Sequence, residues 1–579
     1  MTIQALLRDY RAGTRTPAEV IDAVFARIEA DGQGPVWIAL ADRAAAVRRA
    51  SGIDLSLPLA GVPFAVKDNI DVAGLPTTAA CPSFAYTPAR DAGVVARLTA
   101  AGAVVIGKTN LDQFATGLVG VRSPYGACAN VFDDRFISGG SSSGSAVAVA
   151  RGQVAFSLGT DTAGSGRVPA AFNSLVGLKP TRGVIGTSGV VPACRSLDCV
   201  SVFTRDTADA GLVLSVARGA DADDPFSRVP APGAGAAPWA SGPFRVGVPR
   251  QADLAFFDDP LTPGLYARAI ERLQAIGGTV VEIDFAPFRE AASLLYAGPW
   301  VAERTAAVGD FIERGAADIH PVVRDIILGG RQRSAVDAYT ALYRLQALIA
   351  ATRSTWADID VLALPTAGTI YTRAAVEQEP VRLNTNLGYY TNFANLMDLA
   401  VLAVPAGMRD DGLPFGISLA APAFSDEGLL ALASRFEGAA DPRRTPGCIA
   451  VAVVGAHLTG QPLNWQLTQR GARLLETTAT AADYRLFALA DTLPPKPGLV
   501  REPGFAGPGI DVEVWAVPEA AFGSFVDGVP PPLGIGNVRL ADGRWVKGFI
   551  CEAAGLAGAE EITRFGGWRA FRESLQPAS

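Results

Sequence analysis

Apolar residues recur at helical spacing over Ile3–Tyr10, Pro17–Glu29 and Val36–Ala50, so the pattern predicts three helices at the start of the chain. The run GVPFAVKD at 61–68 breaks that period. Its β-branched and aromatic residues predict a strand instead. From there short apolar runs, VVIGKT at 104–109 and VAFSLGT at 154–160, alternate with alanine-rich helical stretches, which predicts an α/β unit with helices on both faces of a sheet. APGAGAAPWASGP at 231–243 reads as a surface connector inside that unit, because strand-like RVGVP follows at 245. EGAADPRRTPG at 437–447 precedes a fresh apolar run, IAVAVVGAHL, and marks a domain boundary near residue 446. Beyond it DYRLFALAD, DVEVWAVP and WVKGFICEA are separated by Pro/Gly turns and predict a small β-rich module of about 130 residues. The expected organisation is a large unit over 1–440, a linker at 441–447 and a second unit over 448–579.

Composition narrows the function classes. A chain of 579 residues with 49% hydrophobic and 18% charged residues, 62 glycines and 40 prolines is ordered and loop-rich, long enough for two or three domains. A net charge of −7 with no block of like charges argues against a nucleic-acid partner or an anionic membrane surface. Arg8 and Asp9 interrupt the start where a signal peptide needs an apolar core, so a soluble cytoplasmic protein is expected. Six scattered cysteines (Cys81, Cys128, Cys194, Cys199, Cys448 and Cys551) with two histidines in the chain read as buried reduced thiols rather than a zinc site. No metal and no organic cofactor are expected.

Three stretches offer chemistry. Gly102-Ala-Val-Val-Ile-Gly107-Lys108-Thr109 satisfies the P-loop spacing of a nucleotide-binding protein, but Ala-Val-Val-Ile is strand-forming where a P-loop needs a phosphate-cradling turn. A core strand ending at Lys108 fits better. Gly140-Ser141-Ser142-Ser143-Gly144 matches G-x-S-x-G and would make Ser142 a nucleophile. That mechanism needs a histidine base, only His320 and His457 exist, and the preceding DDRFIS is a poor strand.

The third pattern joins Lys67 in PFAVKDN, the serine-rich loop ISGGSSSGSAVAVA at 137–150, and GTDTAGSGRVPA at 159–170. Together these resemble the amidase signature family, whose catalytic elements are a lysine, a serine in a cis peptide unit and a nucleophilic serine. GKTNLDQFATG at 107–117, GLKPTRG at 177–183, SLDCVSVFTRD at 196–206, DVLALPT at 360–366 and NLMDLAVLAVPAG at 395–407 extend the likeness over roughly residues 1–440. The resemblance implies a mixed central sheet flanked by helices, with Ser165 as nucleophile, Ser141 as the cis-peptide serine and Lys67 as base. Ser143, Ala163 and Gly166 depart from the usual pattern without removing a reactive group.

The chemistry suits these residue types. Lys67 follows the apolar run Val62-Pro63-Phe64-Ala65-Val66, and burial would favour its neutral form. Neutrality near pH 7 asks roughly 4 to 5 kcal/mol of a group whose ordinary pKa is about 10.4. Taken alone, Lys67 reads as a strand-end lysine at the surface; the two serine loops turn the reading toward catalysis. Small residues at Thr162, Ala163 and Gly164 let backbone N–H groups converge as an oxyanion hole, where the family resemblance also places it. Asp161 and Arg167 are expected to brace the loop by ion pairing.

Two further features resemble the allophanate hydrolase branch of the family. Tyr296 and Arg304, in YAGPWVAER, match the tyrosine and arginine that hold the substrate there, and a guanidinium suits its carboxylate. Without the resemblance they read as a packed tyrosine and a surface arginine. VVGAHLTGQPLNWQL at 453–467 resembles that branch's C-terminal domain, similar in fold to γ-glutamylcyclotransferase proteins. His457 is then a candidate for a second site acting on the first product, N-carboxycarbamate; loop stabilisation is equally open. The resemblance implies allophanate as substrate, in urea degradation, with urea carboxylase as the functional partner that supplies it and a homodimer as the assembly. An amidase for biuret or another small acidic amide is the alternative.

Overall fold

Thr2 and Thr16 start the first two helices, Ile3–Ala12 and Pro17–Asp31, each accepting a hydrogen bond from a first-turn N–H. Thr16 and Glu19 close a reciprocal capping box. The third expected helix is shorter than its periodicity suggested. Only Arg43–Ser51 is helical, and Trp37–Leu40 forms a strand antiparallel to Val104–Thr109. Val36-Trp37-Ile38 mixes β-branched and aromatic residues, and pairing with the sheet overrides helical spacing there. The computed structural model describes residues 1–32, 34–230, 237–438, 448–541 and 544–575. The expected linker at 441–447, and 231–236 of the expected connector, lie outside the described residues.

The chain divides into two compact units, Met1–Gly438 and Ala439–Ser579. In the first, eleven strands form one mixed sheet in the order Trp37–Leu40, Val104–Thr109, Pro63–Lys67, Phe156–Asp161, Cys199–Thr204, Val176–Lys179, Leu399–Met408, Pro414–Pro422, Val361–Pro365, Phe244–Pro249 and Gly278–Ile283. Both faces are covered. Along Val361–Pro365, Val361 and Ala363 enter one apolar cluster while Leu362 and Leu364 enter another, as the two-residue period of a strand requires. Burial on both faces explains why these strands read as uninterrupted apolar runs.

Pro63–Lys67 lies between parallel neighbours Val104–Thr109 and Phe156–Asp161. Their carboxyl ends therefore emerge together, bringing Lys67 beside Thr160 and the turn that follows Asp161. Lys108, the P-loop candidate, is wholly buried inside Val104–Thr109 and pairs with Asp68 at 3.1 Å. It is a core ion pair, not a phosphate cradle.

In the second unit, Cys448–Val453 and Asp511–Pro518 centre a five-stranded sheet, beside a three-stranded sheet of Tyr484–Ala488, Pro497–Arg501 and Glu560–Glu561. Val451, Val453, Val514, Trp515 and Phe549 belong to a core of its own. Among the described residues no helix is long and apolar enough to cross a membrane.

Candidate active site

Lys67 ends its strand without any solvent exposure. Its Nζ donates to Ser141 Oγ at 2.8 Å and to Thr160 Oγ1 at 2.7 Å. Burial drives its pKa down to about 7, even though Asp112, Asp198 and Asp161 pull the other way. The surface alternative for Lys67 is thereby removed.

Ser141 stands at the mouth of the helix Ser143–Ala150, and the Gly140–Ser141 peptide bond is cis. The carboxylate of Asp112 organises the loop around it. Asp112 N–H donates to Ser141 O at 3.0 Å, while its side chain accepts from the N–H groups of Gly120 and Arg122, both at 2.9 Å, and of Val119 at 3.2 Å. Ser142, the residue G-x-S-x-G would choose, donates instead to Thr160 O at 3.1 Å.

Ser165 follows the tight turn Thr162-Ala163-Gly164. Gly164 has φ +138°, and a side chain there would meet the Thr391 hydroxyl at 2.5 Å. Asp161 shapes the turn, accepting from Gly164 N–H and Gly166 N–H at 3.0 Å each. It also forms a buried, two-pronged pair with Arg167, at 2.9 Å on both oxygens. Burial raises the Asp161 carboxyl, but Arg167, together with Lys179 and the Gly166 N–H, outweighs it and holds the group below its usual range. The bracing expected of Asp161 and Arg167 is present. One consequence falls on the expected oxyanion hole: the Gly164 N–H is committed to Asp161. The N–H groups of Thr162, Ala163 and Ser165 are the ones in this turn without an acceptor among the described residues.

The side chains of Lys67, Ser141 and Ser165 are all buried but are not linked end to end. Ser165 Oγ donates to Gly117 O at 3.5 Å, and no bond joins it to the Ser141 hydroxyl.

Tyr296 lies near the end of the helix Ala286–Ala297 and Arg304 in the helix Val301–Glu313, with Pro299 in the break between them. Arg304 is buried, 2% exposed, rather than a surface arginine. Its guanidinium sits 5.7 Å from the Tyr296 ring centroid and donates from Nη1 to Thr116 Oγ1 at 2.9 Å; Nη2 is buried with no partner. An orphaned guanidinium nitrogen is expensive to bury and marks where an anionic ligand fits.

His457 stacks on Phe549 at 4.8 Å and bonds Gln466 through Nε2 at 2.9 Å. It lines a cavity of about 240 Å³ that also includes Lys496. Burial and, secondarily, Lys496 lower its pKa.

Sequence reasoning passed over Thr160 as a partner of Lys67, and it passed over Asp198. Asp198 accepts from the Thr162 hydroxyl and from Ala193 N–H at 2.8 Å, and burial pushes its carboxyl up to about 6. Both lie inside stretches that carried the resemblance, GTDTAGSGR and SLDCVSVFTRD, but only the fold brings them together.

A family model described as "Amidase" matches residues 19–430, and one described as "Allophanate hydrolase C-terminal domain" matches residues 449–573. The chain is 47% identical over 559 residues to the urea amidolyase of Saccharomyces cerevisiae, covering 90% of this chain and 30% of that protein. It is 46% identical over 580 residues to the urea amidolyase of Lachancea kluyveri, covering 94% of this chain and 32% of that protein. It therefore spans about a third of the length of these two relatives. Among solved structures, the allophanate hydrolase of Kluyveromyces lactis superposes with a TM-score of 0.72 at 43% identity, covering 100% of this chain and 99% of that one.

Proposed function

Because the chain belongs to the amidase family, we propose that it hydrolyses allophanate, the N-carboxylated form of urea, to ammonia and N-carboxycarbamate, by a serine mechanism that uses no histidine. The observation that carries the mechanism is Lys67, buried, bonded to Ser141 and poised near neutrality. As a neutral amine it keeps two N–H bonds and a lone pair, so it can donate to Thr160 while accepting the Ser141 proton. Ser141 in turn takes the proton of Ser165 as Ser165 Oγ attacks the terminal urea carbonyl. The N–H groups of Thr162, Ala163 and Ser165 receive the developing oxyanion. The proton then returns through Ser141 to the departing nitrogen, which leaves as ammonia, and water completes the cycle on the acyl-enzyme.

The substrate reading rests on Arg304 and Tyr296. The unpaired Nη2 of Arg304 matches the carboxylate that distinguishes allophanate from urea, and Tyr296 packs beside it. The similarity to a urea amidolyase and to an allophanate hydrolase supports the same substrate, with a urea carboxylase as its source. In the second unit we assign His457 to decarboxylation of N-carboxycarbamate, in the cavity it shares with Lys496.

Ammonia release from allophanate, malonamate and biuret tests the reading. Allophanate should be turned over with the highest kcat/KM, and Arg304→Ala should remove most of that advantage. Preference for biuret, or an Arg304→Ala enzyme as fast on allophanate as the parent, would overturn it.

A further inference from the structure

Arg304 is not the only buried arginine beside this site with an unpartnered nitrogen. Arg122, in the loop that Asp112 organises, is 1% exposed. Its Nη1 donates to Thr116 O at 2.9 Å and its Nη2 to Pro380 O at 2.5 Å, while Nε is buried without a partner. Arg304 takes the hydroxyl of the same Thr116. Two guanidiniums thus bracket one residue, and neither has a carboxylate oxygen within ion-pair distance among the described residues. Burial works against the charge of Arg122; Asp112 counters this and Arg304 adds to it. Arg122 also borders the nucleophile. A side chain on Gly117 would come within 3.2 Å of Arg122 Nη1, and Gly117 O is the acceptor for Ser165 Oγ.

Burial works against both guanidiniums; Asp112 offsets part of it for Arg122, and acidic groups including Asp198 and Glu303 offset it for Arg304, but neither makes a direct ion pair among the described residues, so an anion between them would gain charge-assisted hydrogen bonds from the unpartnered Arg122 Nε and Arg304 Nη2. The proposed reaction supplies one. Allophanate brings a single carboxylate, and once its amide has become an acid the product N-carboxycarbamate carries two. We propose that Arg122 is a specificity-determining residue that shares the carboxylate end of the substrate with Arg304 and selects carboxylate-bearing ureas and amides over neutral ones. This rests on the allophanate reading.

Malonate, which replaces the central nitrogen of N-carboxycarbamate by a methylene, is the probe, with neutral malonamide as control. Calorimetric titration of the full chain should show malonate binding in the parent, weakened at least about tenfold by Arg122→Gln, as expected for loss of a charge-assisted contact. Malonamide binding should not change. Parent protein that binds no malonate, an Arg122→Gln variant that binds it as the parent does, or equal loss of both ligands would overturn the proposal. If Arg122→Gln fails to fold, judged by its circular dichroism and Tm, Arg304→Gln decides. A remaining preference for malonate over malonamide supports Arg122 as the second cation, and equal affinity for the two overturns it. Turnover of allophanate by the parent is measured separately, so an enzyme that binds malonate but leaves allophanate intact would sink the substrate reading without touching Arg122.

Discussion

At the scale of single residues the proposed mechanism turns on where one proton sits. With Lys67 held at about 7, kcat/KM should rise with pH along a limb centred near 7, because only the neutral amine can accept the Ser141 proton. Lys67→Met should flatten that limb and cost about 10²- to 10⁴-fold, the usual worth of a general base. Stability should carry the same signature. Between about 7 and 10.5 the unfolded chain holds the Lys67 proton and the folded chain does not, so the parent gains stability as pH rises through that window; below it the penalty for burying the charge is fully present. Groups common to both proteins cancel, so denaturant unfolding of Lys67→Met should show an advantage over the parent at pH 6.5 that shrinks toward pH 10, by at most about 4 to 5 kcal/mol. Asp198 titrates with the opposite sign and in a lower window, from its ordinary 3.8 to about 6, where the folded chain holds the proton more tightly and stability falls as pH rises. A gap between the two proteins that stayed constant from pH 6.5 to 10 would mean that Lys67 is not a buried neutral amine.

At the scale of elements, the site exists because two parallel strands end side by side and a tight turn follows one of them. The strand carrying Lys67 was legible because its apolar run is unbroken. The strand Trp37–Leu40 was not, because its residues also fit a helical period and only the neighbouring Val104–Thr109 decides between the two. The turn was legible in its small residues, but not in its hydrogen bonds: that Asp161 takes the Gly164 N–H depends on side-chain geometry no spacing encodes. This turn yields a two-part expectation. Gly164→Ala meets both an unfavourable φ of +138° and the Thr391 side chain, whose hydroxyl and Cβ would stand 2.5 and 2.8 Å away. If the turn holds the proposed oxyanion donors, the substitution should lower kcat by about 10² to 10³, the cost of misplacing them, with little change in KM. Adding Thr391→Gly clears the space but leaves the backbone cost, so steady-state kinetics should recover part of the loss and not all of it. Full recovery would assign the whole defect to crowding, and none would assign it to the backbone.

At the scale of the whole molecule, two units with separate cores carry what we read as two consecutive steps. Composition and patterning place a boundary near residue 446, where short strands between Pro/Gly turns replace the α/β alternation after the low-hydrophobicity stretch, and the fold separates Met1–Gly438 from Ala439–Ser579. Arg122 and the cavity around His457 were beyond the sequence alone: an arginine in GVRSPYG looks like any loop arginine until burial leaves its Nε without a partner. If the steps are divided as proposed, His457→Ala in the full chain should leave the first ammonia released from allophanate at the parental rate and slow the appearance of carbon dioxide by about tenfold or more, the lower range for losing a proton-transfer group. Following ¹³C-labelled allophanate by NMR would then show N-carboxycarbamate accumulating before carbamate and bicarbonate. The stacking of His457 on Phe549 and its bond to Gln466 would equally brace a loop, so the Tm of the variant matters to the interpretation. A lowered Tm with carbon dioxide still keeping pace with ammonia would leave the histidine a structural part, and the second unit would then owe nothing of its chemistry to that cavity.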